Sequence, residues 1–197
     1  MDPVTGFVRS ILPLFRKYTD ALLELRTKST QIRTLLSEYP LDNCVVAFSY
    51  SPVSIAAALE HKTPCVEKRI AAMLKLQRAG WKIGLRFDPL IYEDNYQTNY
   101  HELFNKIFSV LDIKQLHSVS LGGFRIPRDY FKTMRRLYPD EILFASRLQD
   151  SAGMVKYKKM LADEMFQFCS RIILSHIPDH LFFHYESPSH DMGKLSA

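Results

Sequence analysis

The amino-acid sequence predicts an α/β fold in which parallel strands alternate with outer helices. In a strand predicted at 44–50, residues Val45 to Phe48 are continuously apolar, which is typical of a parallel strand buried on both faces. Six such runs alternate with helical patterns along the chain. Polar residues follow five of the runs, as they do where barrel strands end at a ligand. These observations favour an open partial (β/α) barrel over a doubly wound sheet, and no Gly-x-Gly-x-x-Gly motif supports dinucleotide binding.

The N-terminal half reads as three strands with helices around them. The first helix is predicted at residues 7–17 by one apolar stripe: Phe7, Ile11, Leu14 and Phe15. Strands are predicted at residues 21–28, 44–50 and 82–88, and short helices at about 30–38 and 53–60. A longer helix is predicted to begin at Pro64, with Thr63 as its N-cap, and to stop at Gly80.

The C-terminal half continues the same alternation. An amphipathic pattern predicts a helix from Tyr96 to Leu111. Further strands are predicted at 116–121, 141–146 and 181–185, and further helices at about 128–137 and 157–176, with a polar loop at 147–155. The residues from Pro188 onward have the composition of a disordered tail. The expected organisation is one domain at 1–187 and a tail at 188–197.

The composition indicates a folded protein and narrows the possible partners. Hydrophobic residues make up 47% of the chain, but no apolar run reaches the length of a membrane span and no signal peptide is recognisable, so a cytoplasmic protein is expected. The net charge of +5 permits a nucleic-acid partner without requiring one. The cysteines Cys44, Cys65 and Cys169 are odd in number and widely spaced, which predicts neither a disulfide framework nor a zinc site.

Several short segments, taken in order, carry a resemblance to a known family. They are Asp-Pro-Val-Thr-Gly at 2–6, Ala-Leu-Leu-Glu-Leu-Arg-Thr-Lys-Ser at 21–29, Glu-His-Lys-Thr-Pro at 60–64, Gly-Leu-Arg-Phe-Asp-Pro-Leu-Ile at 84–91, Ser-Leu-Gly at 120–122 and Glu-Ser at 186–187. This set resembles the spore photoproduct lyase family, from residue 2 to about 188. The resemblance implies a radical S-adenosylmethionine enzyme that repairs a thymine dimer in DNA.

The chain departs from that family at the iron–sulfur centre. The family holds a 4Fe–4S cluster through a Cys-x-x-x-Cys-x-x-Cys motif, which the 197 residues do not contain. The resemblance therefore implies the C-terminal two-thirds of such an enzyme, a partial TIM-type barrel without its first strands, inactive by itself. A separate chain carrying the cluster-binding part, or a dimer formed through the exposed strand edge, is the expected partner besides DNA.

Two other functional classes are weighed against this one. The first is a non-catalytic remnant or subunit that keeps residual S-adenosylmethionine or DNA binding. The second is an unrelated hydrolase or lyase, which the absence of a Gly-x-Ser-x-Gly elbow disfavours.

The resemblance also implies cofactor-binding residues. Lys28 matches a lysine near S-adenosylmethionine and Ser49 matches a hydroxyl that binds the same ligand. A lysine can pair with the methionine carboxylate and a hydroxyl can hydrogen-bond beside it. Asp88 and Ser120, at neighbouring strand ends, are expected in the same pocket. Solvation of Lys28, a backbone hydrogen bond to Ser49 and a turn at Asp88 remain open as alternatives.

The expected DNA side carries three residues. Lys156 and Tyr157 match a basic–tyrosine pair of the family, and Arg125 belongs to a basic cluster at 125–128. Such a set offers phosphate contacts and a stacking face, although the local pattern at Lys156 and Tyr157 favours an ordinary helix start. Arg86 is expected to pair with Glu24, and Glu186 would need such a partner too. No catalytic residue and no metal ligand is assigned.

Overall fold

The computed structural model describes residues 2–145 and 147–185. The helices are α1 Asp2–Thr5, α2 Phe7–Lys17, α3 Arg33–Leu36, α4 Val53–Leu59, α5 Val66–Arg78, α6 Tyr96–Phe108, α7 Arg128–Leu137 and α8 Lys159–Leu174. The strands are β1 Leu23–Thr27, β2 Cys44–Ser49, β3 Lys82–Leu90, β4 Leu116–Gly123, β5 Arg125–Pro127, β6 Leu148–Ser151, β7 Met154–Tyr157 and β8 Phe182–Tyr185. Short 3₁₀ turns lie at Ile113–Gln115, Ile142–Ala145 and Asp179–Leu181.

The main sheet confirms the predicted parallel α/β fold. Its strand order is β1-β2-β3-β4-β8, and every neighbouring pair is parallel. The described sheet has five strands rather than six, because the strand predicted at 141–146 is wrong. Residues Ile142–Ala145 form a 3₁₀ turn in which the Phe144 ring packs edge-on against Phe131. A short apolar run cannot be told from a short helical segment by periodicity alone.

The two faces of the main sheet differ in chemistry. Alternate residues of β2 and β3, such as Phe48 and Leu85, pack into a core with α5, α6 and α8. The register places Ser49, Arg86 and Ser120 side by side on the opposite face. Because all three belong to adjacent strands, polar groups collect at the carboxyl ends of the strands.

A second, antiparallel sheet was not predicted. It has the order β5-β7-β6, and β6 and β7 replace the polar loop predicted at 147–155. The two residues of their turn, Ala152 and Gly153, both have positive φ, at 51° and 78°, as a tight antiparallel hairpin requires. Tyr157 is therefore the last residue of a strand, and the helix predicted from 157 begins at Lys159.

Two helix details also differ from the sequence predictions. Helix α2 has the predicted bounds, but it buries Leu12, whereas Phe7 and Leu14 of the predicted stripe are half-exposed. Helix α5 begins at Val66 after an N-cap at Cys65 rather than Thr63. The Thr63 hydroxyl instead donates to the Glu60 carbonyl at 2.7 Å, so it closes the preceding turn.

Some predictions lie outside the described residues. These are the pairing of Glu186, the strand end at Ser187 and the tail from Pro188. Among the helices that are described, none combines the length and the apolar character needed to cross a bilayer.

Candidate functional site

The carboxyl ends of four neighbouring strands meet in one hydrogen-bonded network, with Arg26 of β1 at its centre. The Arg26 Nε atom donates to Ser49 Oγ of β2 at 3.1 Å. Its Nη2 atom donates to the Asp88 carbonyl of β3 at 3.1 Å and pairs with the Asp88 carboxylate. Ser120 Oγ of β4 donates to the second carboxylate oxygen of Asp88 at 2.9 Å. The predicted grouping of Ser49, Asp88 and Ser120 is therefore present, joined by an arginine that the sequence interpretation did not assign to the site.

A second network lies immediately beyond these strand ends and centres on Glu60, the residue after α4. Lys28 Nζ lies 2.6 Å from Glu60 Oε1, and Ser51 Oγ donates to the same oxygen at 2.9 Å. Arg69 Nη2 of α5 lies 2.5 Å from Glu60 Oε2. The Arg69 side chain is 1% exposed, whereas that of Lys28 is 40% exposed. One carboxylate thus holds one buried cation and one that solvent reaches.

Ser49 connects the two networks. Its hydroxyl accepts from Arg26, and its carbonyl accepts a long hydrogen bond of 3.4 Å from Arg69 Nη1. Burial alone would raise the pKa of Glu60, but the hydrogen bond and charge of Lys28 and the charge of Arg69 outweigh it and hold that pKa below its ordinary value. Glu60 is therefore an ionised carboxylate at neutral pH.

A third pair confirms the predicted contact between Arg86 and Glu24. Arg86 Nε and Nη2 donate to the two carboxylate oxygens of Glu24 at 3.0 and 2.7 Å. Nη2 also donates to Ser118 Oγ at 3.0 Å. The hydrogen bonds from Arg86 hold the pKa of Glu24 below its ordinary value. The guanidinium lies over Gly84, where an added Cβ would come within 3.0 Å of Arg86 Nη2, so glycine gives it room to lie flat on the sheet.

The residues predicted for DNA binding are divided by the antiparallel sheet. Arg125 and Lys156 are direct cross-strand partners on β5 and β7, so their side chains share one face. Tyr157 lies on the opposite side and is buried, with 2% exposure. Its hydroxyl accepts from the Tyr92 backbone N–H at 2.9 Å, and its ring contacts Tyr92 and Phe124. The expectation that Tyr157 offers a stacking face is therefore wrong.

Comparison with known proteins identifies the family. The family model for spore photoproduct lyase matches residues 1–159 of the chain. This chain belongs to the spore photoproduct lyase family. A curated spore photoproduct lyase from Clostridium acetobutylicum is 26% identical over 120 residues, which is 58% of this chain and 36% of that protein.

Solved spore photoproduct lyases share the fold. One, complexed with dinucleoside spore photoproduct, has a TM-score of 0.69 at 20% identity. A mutant form with bound AdoMet and dinucleoside spore photoproduct has a TM-score of 0.67 at 19% identity. Each match covers 83% of this chain and 50% of the other. The chain thus spans about half the length of these solved relatives.

The cysteines of this family member do not form a cluster site. Burial raises the pKa of the Cys44 thiol to about 11 and that of Cys169 to about 12, which disfavours the thiolates that iron needs. Cys65 is exposed at the start of α5. Within residues 2–145 and 147–185, no group of three His, Cys, Asp or Glu side chains could hold a metal ion.

Three residues of the site were missed by the sequence interpretation: Arg26, Glu60 and Arg69. Arg26 and Glu60 stand in the segments that carried the family resemblance, so their order along the chain was a usable signal. Arg69 lies among the apolar residues on the buried face of α5. Its charge at that position was the only sequence signal that it has an ionic partner in the core.

Proposed function

We propose that this chain supplies the ligand-facing part of a spore photoproduct lyase, a radical S-adenosylmethionine enzyme that repairs DNA. The observation that carries the proposal is the Arg26–Ser49–Asp88–Ser120 network, which places polar groups from four adjacent strands at one edge of the sheet. Ligands of parallel α/β folds bind at this edge. In this proposal the sheet is one part of a TIM-type barrel, and the protein is cytoplasmic.

The charges at the strand ends suit the amino-acid end of S-adenosylmethionine. That end is a zwitterion, so its site needs a cation for the carboxylate and an anion for the ammonium group. Lys28 is a half-exposed cation with three N–H donors, and Asp88 is a carboxylate whose side chain is 26% exposed. We assign Lys28, Ser49, Asp88 and Ser120 to hold this ligand, with Arg26 keeping Asp88 in place. The family's radical chemistry belongs to the cofactor and its cluster.

The 4Fe–4S cluster does not fit the residues of this chain. Cys44 and Cys169 are buried protonated thiols, and the third cysteine, Cys65, is exposed. We therefore assign the cluster ligands to polypeptide outside these 197 residues.

The proposed DNA contact is the outer face of the antiparallel sheet. Arg125 and Lys156 stand beside each other there, and Gln149 of β6 extends the row across the third strand. Two cations and an amide in one row suit phosphate oxygens. This assignment keeps Arg125 and Lys156 and drops Tyr157 as a surface contact.

The decisive experiment is saturation-transfer NMR of S-adenosylmethionine with the wild-type chain, because this method detects weak binding. Asp88→Asn and Ser49→Ala should each reduce the transfer to the ligand. Ser109→Ala is the matched control, since Ser109 is exposed at the end of α6 and hydrogen-bonds only locally to the Lys106 carbonyl. Equal transfer in all four proteins would remove the ligand from these strand ends. Binding without repair activity after the cluster-bearing part is added would favour a non-catalytic subunit.

A further inference from the structure

Helix α7, Arg128–Leu137, differs from the other long helices in how little of it is buried. It follows β5 directly and has no buried residue, and its side chains at Tyr130 and Leu137 are 60% and 61% exposed. Its packing onto the body of the protein includes the Phe131 ring, which meets Phe144 at 5.2 Å between centroids. An amphipathic helix this open has a face that the described residues do not cover.

The charge on this helix is strongly positive. It carries Arg128, Lys132, Arg135 and Arg136 against the single acid Asp129. Arg128, Lys132 and Arg136 follow one another at intervals of four residues, so they form one stripe along the helix. Arg135 and Arg136 pair with no carboxylate among the described residues, and Lys132 reaches Asp129 only at 3.6 Å. Arg135 and Arg136 therefore lack the carboxylate partners that Arg26 and Arg69 have at the strand-end site.

The helix is fixed to the proposed DNA face. The Arg128 backbone N–H donates to the Gly153 carbonyl in the β6–β7 turn at 2.9 Å. The Arg128 side chain pairs with Asp150 of β6, with Nη2 donating to Oδ1 at 2.8 Å. Because α7 begins where β5 ends, its stripe starts within a few residues of Arg125. The helix extends about 15 Å from that point, at 1.5 Å per residue.

We propose that α7 is a contact for the phosphate backbone of duplex DNA that flanks the lesion, with Arg135 and Arg136 as its main cations. This inference rests on the proposed DNA-repair function and adds a second element to the DNA interface. A polyanion supplies the negative charges that the helix lacks, and a dinucleotide at the antiparallel sheet is too short to span its length.

The test is fluorescence anisotropy with a labelled 12-base-pair duplex, titrated at several salt concentrations. Arg135→Gln with Arg136→Gln removes two cations from α7, and Lys75→Gln with Arg78→Gln removes two exposed cations from α5. Each phosphate contact contributes about 0.9 to the slope of log K against log salt concentration. The α7 variant should therefore reduce the slope by about 1.8, while the α5 variant keeps the wild-type slope. Thermal unfolding by circular dichroism checks that both variants are folded.

Three results of the duplex titration overturn the proposal: no binding by the wild type at low salt, an unchanged slope in the α7 variant, or an equal reduction of the slope in both variants. A fourth result comes from vesicles containing phosphatidylserine. The proposal is also overturned if the α7 variant loses binding to these vesicles while its binding to the duplex is unaffected. The last outcome would assign the helix to a membrane surface. Saturation transfer to dinucleoside spore photoproduct separates this inference from the proposed function. A wild type that binds the duplex through α7 but not the dinucleoside would retain the inference and contradict the lesion site.

Discussion

Glu60 is the residue that balances charge at the strand-end site. It holds Arg69, which is almost completely buried, and Lys28, which solvent reaches. The two pairs therefore differ in what their loss leaves behind. Removing Glu60 leaves a buried guanidinium without a counter-charge, whereas removing Lys28 leaves a carboxylate that still has Arg69.

We expect Glu60→Gln to lower the free energy of unfolding by about 3–5 kcal/mol, because Arg69 is left unpaired. Lys28→Met should cost at most about 1 kcal/mol, since its ammonium is partly solvated. The matched control is Glu67→Gln, whose partner Lys106 is about as exposed as Glu67 itself, so it should also cost at most about 1 kcal/mol. Urea unfolding measures all three. A loss for Glu60→Gln as small as that for Glu67→Gln would contradict the buried-pair reading.

The lowered pKa of Glu60 predicts a pH dependence of stability. A carboxyl group whose folded pKa lies below its unfolded value contributes stability above the unfolded value, and loses it as the pH falls through the folded value. The difference in unfolding free energy between wild type and Glu60→Gln should therefore be largest well above pH 4.5, the ordinary pKa, and should shrink below it. A difference that grows on acidification would show that the folded pKa is raised instead.

The antiparallel hairpin is the element that sequence periodicity did not reveal. Its strands are four residues each, and only Val155 and Tyr157 of β7 are buried. The sequence did contain a turn signal, because Gly153 lies between two short runs in which apolar and polar residues alternate. Ala152 obscured it, since a two-residue turn with positive φ at both positions usually takes asparagine or glycine first.

Ala152→Asn should stabilise the protein by about 0.5–1 kcal/mol, because asparagine tolerates the left-handed conformation better than alanine. The same substitution at the exposed helical residue Ala71 of α5 should destabilise by about 0.5 kcal/mol, since asparagine is a poorer helix former. Thermal unfolding of both variants measures whether each substitution raises or lowers the stability of the protein. Destabilisation at both positions would show that the turn conformation does not determine the effect at Ala152.

At the scale of the whole molecule, the cysteines limit what this chain does by itself. Cys44 and Cys169 stand in the apolar core, where ionisation of a thiol is costly. A cluster with one open iron needs three thiolates in a compact arrangement. The chain supplies one exposed thiol, Cys65.

The 197-residue polypeptide should therefore form no 5′-deoxyadenosine from S-adenosylmethionine after anaerobic reconstitution with iron and sulfide. Product analysis after addition of a strong reductant measures this. Co-expression with the cluster-bearing part of a related lyase is the positive control, and its activity should appear only when both parts are present. Catalytic amounts of 5′-deoxyadenosine from this chain alone would require cluster ligands other than its three cysteines.

The β1 edge of the main sheet is where a second chain or a second copy of this chain was expected to bind. Strand β1 pairs only with β2 among the described residues, so its other edge lacks a described neighbour. Three apolar side chains that precede β1 in the sequence are each at least half-exposed: Phe7 and Leu14 of α2, and Leu22 after it. A second chain or a second copy at this edge stays a prediction, which sedimentation with and without a candidate partner would test.

The sequence by itself determined the parallel sheet, most helix bounds and the strand ends that carry polar residues. These features are local: apolar periodicity reports burial, and the order of elements restricts the topology. It also predicted the pairing of Arg86 with Glu24, because alternation along β3 turns Arg86 away from Phe87.

Only the tertiary structure decided the charge pairs of Arg26 and Glu60. Arg26 and Asp88 are 62 residues apart, and Glu60 pairs with Lys28, just after β1, and with Arg69 of α5. Tyr157 was expected to face DNA, but its side chain lies in the core. Lys156 shares a face with Arg125, and the next residue along the strand, Tyr157, therefore lies on the opposite face. Local pattern shows that a side chain is polar or apolar, while register and packing between distant segments determine its neighbours.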